Sequence, residues 1–95
     1  MVKHMLIRIH ILLNGEVQGV FFRSEMRDEA EKRSVTGWVR NLRDGRVEAV
    51  FEGEEAKVKE IVAYCRTGPK RAKVTNLNVA WEVYTGKFDR FEVKH

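Results

Sequence analysis

One cysteine and one proline in 95 residues already narrow what this chain can be. Cys65 has no second cysteine with which to close an intramolecular disulfide. One cysteine with three scattered histidines, His4, His10 and His95, is poor material for a zinc site. Seven glycines and that single proline exclude collagen-like and linker compositions. No apolar run approaches the roughly 20 residues needed to cross a bilayer. The N-terminal stretch MVKHMLIRIHILLNGE is interrupted by Arg8 and His10 and is followed by no small-residue cleavage site, which speaks against a secretory signal. The expectation is a cytoplasmic protein with no membrane partner.

What is present fits one globular domain, residues 1–95. Hydrophobic residues make up 43% and charged residues 34%, too apolar a mixture for a disordered chain. Eighteen Lys and Arg against fourteen Asp and Glu leave a net charge of +4. That permits an anionic partner without identifying one, because acids are interleaved with the bases along most of the chain.

Two hydrophobic periods alternate along the sequence. Ile7, Ile9, Ile11 and Leu13 share one face of a period-two segment, with Arg8, His10 and Asn14 on the other, which predicts a half-buried strand. From Phe22 the spacing becomes helical, with Phe22, Met26 and Ala30 four apart. Val35–Leu42 and Arg46–Glu52 read as a hairpin about Arg43-Asp44-Gly45, with Val47, Ala49 and Phe51 on one face. Val58, Ile61, Val62 and Cys65 mark a second helix, closed by Gly68-Pro69. Val74–Tyr84 alternates again, with Leu77, Val79, Trp81 and Val83 on the inward face, and Phe88–Val93 suits a short last strand. The order β-α-β-β-α-β specifies an α+β, ferredoxin-like sandwich. An antiparallel sheet of four to five strands is expected, its two long strands central, the hairpin strands beside them, and both helices on one face.

The segment Gly15-Glu16-Val17-Gln18-Gly19-Val20-Phe21-Phe22-Arg23 joins the first strand to the first helix. Glycines there let the backbone turn its N–H groups inward as a concave nest, and the helix start adds unpaired N–H groups and a positive dipole end. Such a place binds phosphate or carboxylate, and an arginine in the first turn can clamp an oxyanion. The plainer alternative is an empty connection and a solvated Arg23. In the hairpin, Asn41 lies two residues after Val39 and so shares its inward face at the strand's end. There it either meets a ligand or caps the turn through its own backbone, as asparagine commonly does.

Both segments match one family. GEVQGVFFR resembles the first signature of the acylphosphatases, and GWVRNLRDGRVEAVFEG resembles their second. The resemblance covers most of the chain. It implies an enzyme that hydrolyses the carboxyl–phosphate bond of acyl phosphates, without metal or cofactor. By the same likeness Arg23 would bind the phosphate and Asn41 would position the attacking water. Backbone N–H groups of Gln18, Gly19, Val20, Phe21 and Phe22 through Arg23 would form the phosphate cradle. Phe21 departs from the pattern, since the family often has glycine there, and a bulky residue bears on loop shape and access to the site.

Other chemistry-bearing residues read as structural. His10 belongs to an outer strand face, Cys65 to a buried helix stripe, Trp38 and Trp81 to packing, and Asp44 to the turn. An RNA-binding module of the same fold would need exposed aromatics on the third strand, where Phe51 stands alone on the inward set. No nucleic-acid partner is therefore expected; the expected partner is a small acyl phosphate, and the expected state a monomer.

Overall fold

The computed structural model describes residues 5–19 and 21–95. Its elements are β1 (Leu6–Glu16), α1 (Phe22–Lys32), β2 (Thr36–Asn41), β3 (Val47–Glu54), α2 (Glu55–Thr67), β4 (Lys73–Glu82) and β5 (Phe91–Lys94). The five strands form one sheet in the order β4-β1-β3-β2-β5. α1 lies over β2 and β5, α2 over β4, β1 and β3, and the two helices touch. This is the ferredoxin-like α+β arrangement that the alternation of hydrophobic periods dictates.

The core follows from the two periods meeting. Ile7, Ile9, Ile11 and Leu13 of β1 and Val47, Ala49 and Phe51 of β3 face Met26 and Ala30 of α1 and Val58, Ile61, Val62 and Cys65 of α2. Burial drives the Cys65 thiol pKa upward, so the group is an inert filler of the core.

Three expectations need correction. β5 runs parallel to β2, with Gly37 opposite Phe91 and Val39 opposite Val93, so the sheet is mixed and not wholly antiparallel. β3 stands beside β1 at the centre and the long β4 is an edge, because among the described residues β4 pairs only with β1. Finally, Leu77, Val79 and Trp81 face the helix side, opposite Leu13, Ile11 and Ile9, yet Val79 and Trp81 remain exposed. The edge strand outreaches the helix meant to cover it, and Val83 lies beyond its end. Trp38 does pack, but on the open face, half-buried beneath the Arg40 guanidinium and the Lys94 ammonium at 5.4 and 4.8 Å from its ring centroid.

The open face hides one carboxylate. Glu52 is 1% exposed and accepts hydrogen bonds from Arg8 Nη1 (3.1 Å), Thr85 N (3.0 Å), Thr85 Oγ1 (2.8 Å) and Gly86 N (3.0 Å). It thereby ties the segment between β4 and β5 to the sheet. Burial pushes its pKa up, but the donors from Thr85, Arg8 and Gly86 outweigh that and hold it below the ordinary value of 4.5. A carboxyl whose folded pKa is depressed stabilises fully above its unfolded value and loses that contribution as pH falls through the folded one. Glu52→Gln should therefore cost about 2 kcal/mol at neutral pH, the scale of hydrogen bonds to a charged group. It should also flatten the fall of stability on acidification below 4.5, measured by urea unfolding across pH.

Candidate active site

The β1–α1 connection is built around backbone conformations that side chains resist. Gly15 allows a bulge where β1 meets β4, since a Cβ there would lie 2.0 Å from the Lys73 carbonyl oxygen. Gly19 turns the chain at φ 72°. Phe21 then takes the left-handed conformation, φ 60° and ψ 19°, immediately before α1. This is the position where the sequence departs from a glycine pattern, and its backbone geometry is one glycine adopts freely. The Phe21 ring is 73% exposed, so little burial offsets the strain. Phe21→Gly should raise stability by about 0.5–1 kcal/mol, the left-handed penalty less the flexibility glycine adds to the unfolded chain. The check is a thermal midpoint higher by a few degrees.

No side chain caps the start of α1. The Ser24 hydroxyl instead donates to the Phe21 carbonyl at 3.0 Å, as does the Glu25 N–H. The first-turn N–H groups are thus left without an intrahelical acceptor at the positive end of the helix dipole. They can seat an anion.

Gln18 holds this loop against the hairpin. Its Nε2 donates to the carbonyls of Leu42 (2.7 Å) and Arg46 (2.9 Å), so one side chain fixes the β1–α1 loop relative to the end of β2. The hairpin turn has its own supports, with Arg46 N donating to Asp44 Oδ1 at 3.1 Å and Leu42 N to the Arg46 carbonyl at 2.8 Å. Asn41 is not needed to cap it. Its Oδ1 is buried and has no hydrogen-bond partner among the described residues. An unpaired buried acceptor costs about 1–3 kcal/mol and calls for an explanation.

Arg23 and Asn41 line a single open cavity of about 370 Å³, together with Gly19, Phe21 and Phe22. Of the residues singled out from the sequence, Gln18 stands behind this wall as its anchor, and Val20 lies outside the described residues. Arg23 Nη1 donates to the Lys94 carbonyl at 3.3 Å and lies 3.5 Å from His95 Nδ1. Among the described residues no Asp or Glu pairs with Arg23, and none lines the cavity. The site is therefore an electropositive hollow with one neutral amide in its wall.

Among the residues of that wall that the sequence reading did not single out are Arg27 and His95. Arg27 follows Arg23 by one helical turn and lines the same cavity, a relation visible in the i, i+4 spacing. His95 reaches the site only because β5 runs parallel beside β2, which no local pattern announces.

Comparison with known proteins points to one family. The family model Acylphosphatase matches residues 9–93. A curated acylphosphatase of Anaeromyxobacter sp. is 52% identical over 90 residues, covering 95% of this chain and 97% of the relative. One from Pelotomaculum thermopropionicum is 50% identical over 86 residues, covering 90% of this chain and 94% of its own. The solved structure of an acylphosphatase from Coxiella burnetii superposes with a TM-score of 0.90 at 36% identity, over 99% of this chain and 100% of that one.

Proposed function

Since the chain belongs to the acylphosphatase family, whose enzymes hydrolyse acyl phosphates, we propose that Arg23 and the loop amides bind the phosphoryl group while Asn41 aligns the water. The cradle comprises the backbone N–H groups from Gln18 through Arg23. Residues 1–95 act as one domain, and a single copy carries the whole site. The unpartnered Asn41 Oδ1, sharing a cavity with Arg23, is the observation that carries this reading.

The chemistry asks little more of the protein. Water attacks phosphorus in line with the acyl oxygen, the P–O bond to the carboxylate breaks, and the carboxylate leaves as a weak base needing no strong general acid. What remains is to gather the negative equatorial oxygens and to orient the water. The Arg23 fork and the first-turn N–H groups do the first. The Asn41 amide hydrogen-bonds the water and aims its lone pair, though an amide cannot take the proton. The water's proton passes to a phosphoryl oxygen of the substrate.

Metal independence belongs to the same reading. The polar groups around the cavity are mainly cations and donors, a lining that attracts phosphate and repels a metal ion. The test is hydrolysis of acetyl or benzoyl phosphate after exhaustive chelation. Undiminished turnover is the expected result, and turnover that returns only with added Mg²⁺ overturns the metal-free mechanism. A cytoplasmic location completes the proposal, consistent with a buried thiol left free. Among the described residues no helix is long and apolar enough to cross a membrane.

A further inference from the structure

Phe21 costs the fold something that nothing in the folded chain returns. Its backbone is left-handed, φ 60° and ψ 19°, a conformation that burdens any residue with a side chain. Two hydrogen bonds hold it there, from the Ser24 hydroxyl and the Glu25 N–H to its carbonyl, each at 3.0 Å. The ring itself is 73% exposed and so contributes little packing. Other large apolar side chains are exposed, among them Leu6, Trp81 and Val83. Of all such groups among the described residues, only Phe21 lines the cavity of Arg23 and Asn41.

The cavity wall divides by chemistry. Arg23, Arg27, Asn41 and His95 supply charge and hydrogen-bonding groups, while Val17, Phe21, Phe22 and Val93 supply the apolar part. Val17 and Phe22 are each only 1% exposed, so the apolar surface within a ligand's reach is chiefly the Phe21 ring, with the half-buried Val93. A volume of about 370 Å³ falls in the range of small-molecule pockets and leaves room beside a phosphoryl group.

We propose that Phe21 determines which acyl group the site accepts, and that it favours acyl phosphates of aromatic acids. This rests on the phosphoryl assignment made above. One bridging oxygen separates phosphorus from the acyl carbon, so a substituent on that carbon lies close beside the seated phosphoryl group. The Phe21 N–H belongs to the cradle, which sets the Phe21 side chain at the edge of that same cradle. A ring there offers an apolar face on which an aromatic acyl group stacks in the offset manner rings prefer. Stacking takes both faces out of water, so a ring that does little for folding gains its burial on binding. An acetyl group is too small to cover it. Glycine in this position would relieve the backbone and abolish the contact, so the strain is explained by substrate and not by stability.

Two pairs of compounds test this, each pair differing only in the acyl group: benzoyl and acetyl phosphate for turnover, phenacylphosphonate and acetonylphosphonate for binding. In the phosphonates a methylene replaces the bridging oxygen, so their affinity, read by calorimetry, needs no hydrolysis. The wild type should bind phenacylphosphonate about tenfold more tightly than acetonylphosphonate, the effect of shielding one ring face from water. Phe21→Asn removes the ring and keeps a residue that tolerates the left-handed backbone. It should lose that preference, and its benzoyl-over-acetyl ratio of kcat/KM should fall about tenfold, mainly through KM. Phe21→Tyr should retain both ratios, whereas Phe21→Gly should match Phe21→Asn. Each ratio compares two ligands on one protein, so any loss of folded protein cancels. No preference in the wild type, or a preference that survives Phe21→Asn, overturns the proposal. If acyl phosphates are not hydrolysed while the phosphonate preference still depends on Phe21, the aromatic subsite stands and only the assigned reaction falls.

Discussion

Replacing Arg23 by glutamine should lower kcat/KM for an acyl phosphate by about 10³-fold or more, the range found when a cation that neutralises a transferring phosphoryl group is removed. The same substitution should leave the thermal midpoint unchanged or slightly raised. Arg23 sits in the first turn of α1, where a cation opposes the helix dipole by about 0.3–1 kcal/mol. It has no compensating carboxylate among the described residues, only the Lys94 carbonyl at 3.3 Å and the His95 ring at 3.5 Å. Stability thus has no use for a charge in that place, whereas phosphate does. Affinity for inorganic phosphate, read as product inhibition, should fall with it. Arg23→Lys should recover only part of the loss, because an ammonium keeps the charge and loses the planar two-pronged fork. Loss of activity accompanied by a midpoint drop of many degrees would instead make Arg23 a structural residue.

The fold was legible wherever period and face agree. Ile7 through Leu13 and Val58 through Cys65 announce their partners, because a two-residue and a 3.6-residue period must each bury one side. Asn41 could be placed for the same reason, its parity with Val39 settling which face of β2 it occupies before any geometry is known. Legibility ended where the deciding contact is distant in sequence. Nothing local in Phe91–Lys94 says that it will pair parallel with β2, and so nothing marks His95 as a wall of the cavity. Likewise Gln18 reads as one more cradle residue, yet its side chain spans 24 and 28 residues of sequence to hold the hairpin. The error at β4 is of another kind. Alternation reports which side of a strand is apolar, and an edge strand can carry that pattern where the helix over it leaves residues such as Val79 and Trp81 exposed.

Asn41→Ala separates alignment of the water from binding of the phosphate. Its Oδ1 makes no hydrogen bond among the described residues, so the folded state loses no polar contact to them when the amide is removed. It sheds an unpaired buried acceptor, worth about 1–3 kcal/mol, against the packing of a small side chain, and net stability should change little. The catalytic consequence is different. Without the amide, water still reaches the cavity but no longer arrives with its lone pair in line with the leaving oxygen, and kcat should fall about 10²–10³-fold. KM and inhibition by inorganic phosphate should barely move, because the cations and backbone donors that hold the phosphoryl group are intact. Asn41→Asp sharpens the distinction. A carboxylate in that wall could orient water too, but its charge would oppose the phosphoryl oxygens, so both kcat and phosphate affinity should fall. If Asn41→Ala weakened phosphate binding as strongly as Arg23→Gln does, the amide would be a ligand of the phosphoryl group, and the division of labour between the two residues would have to be abandoned.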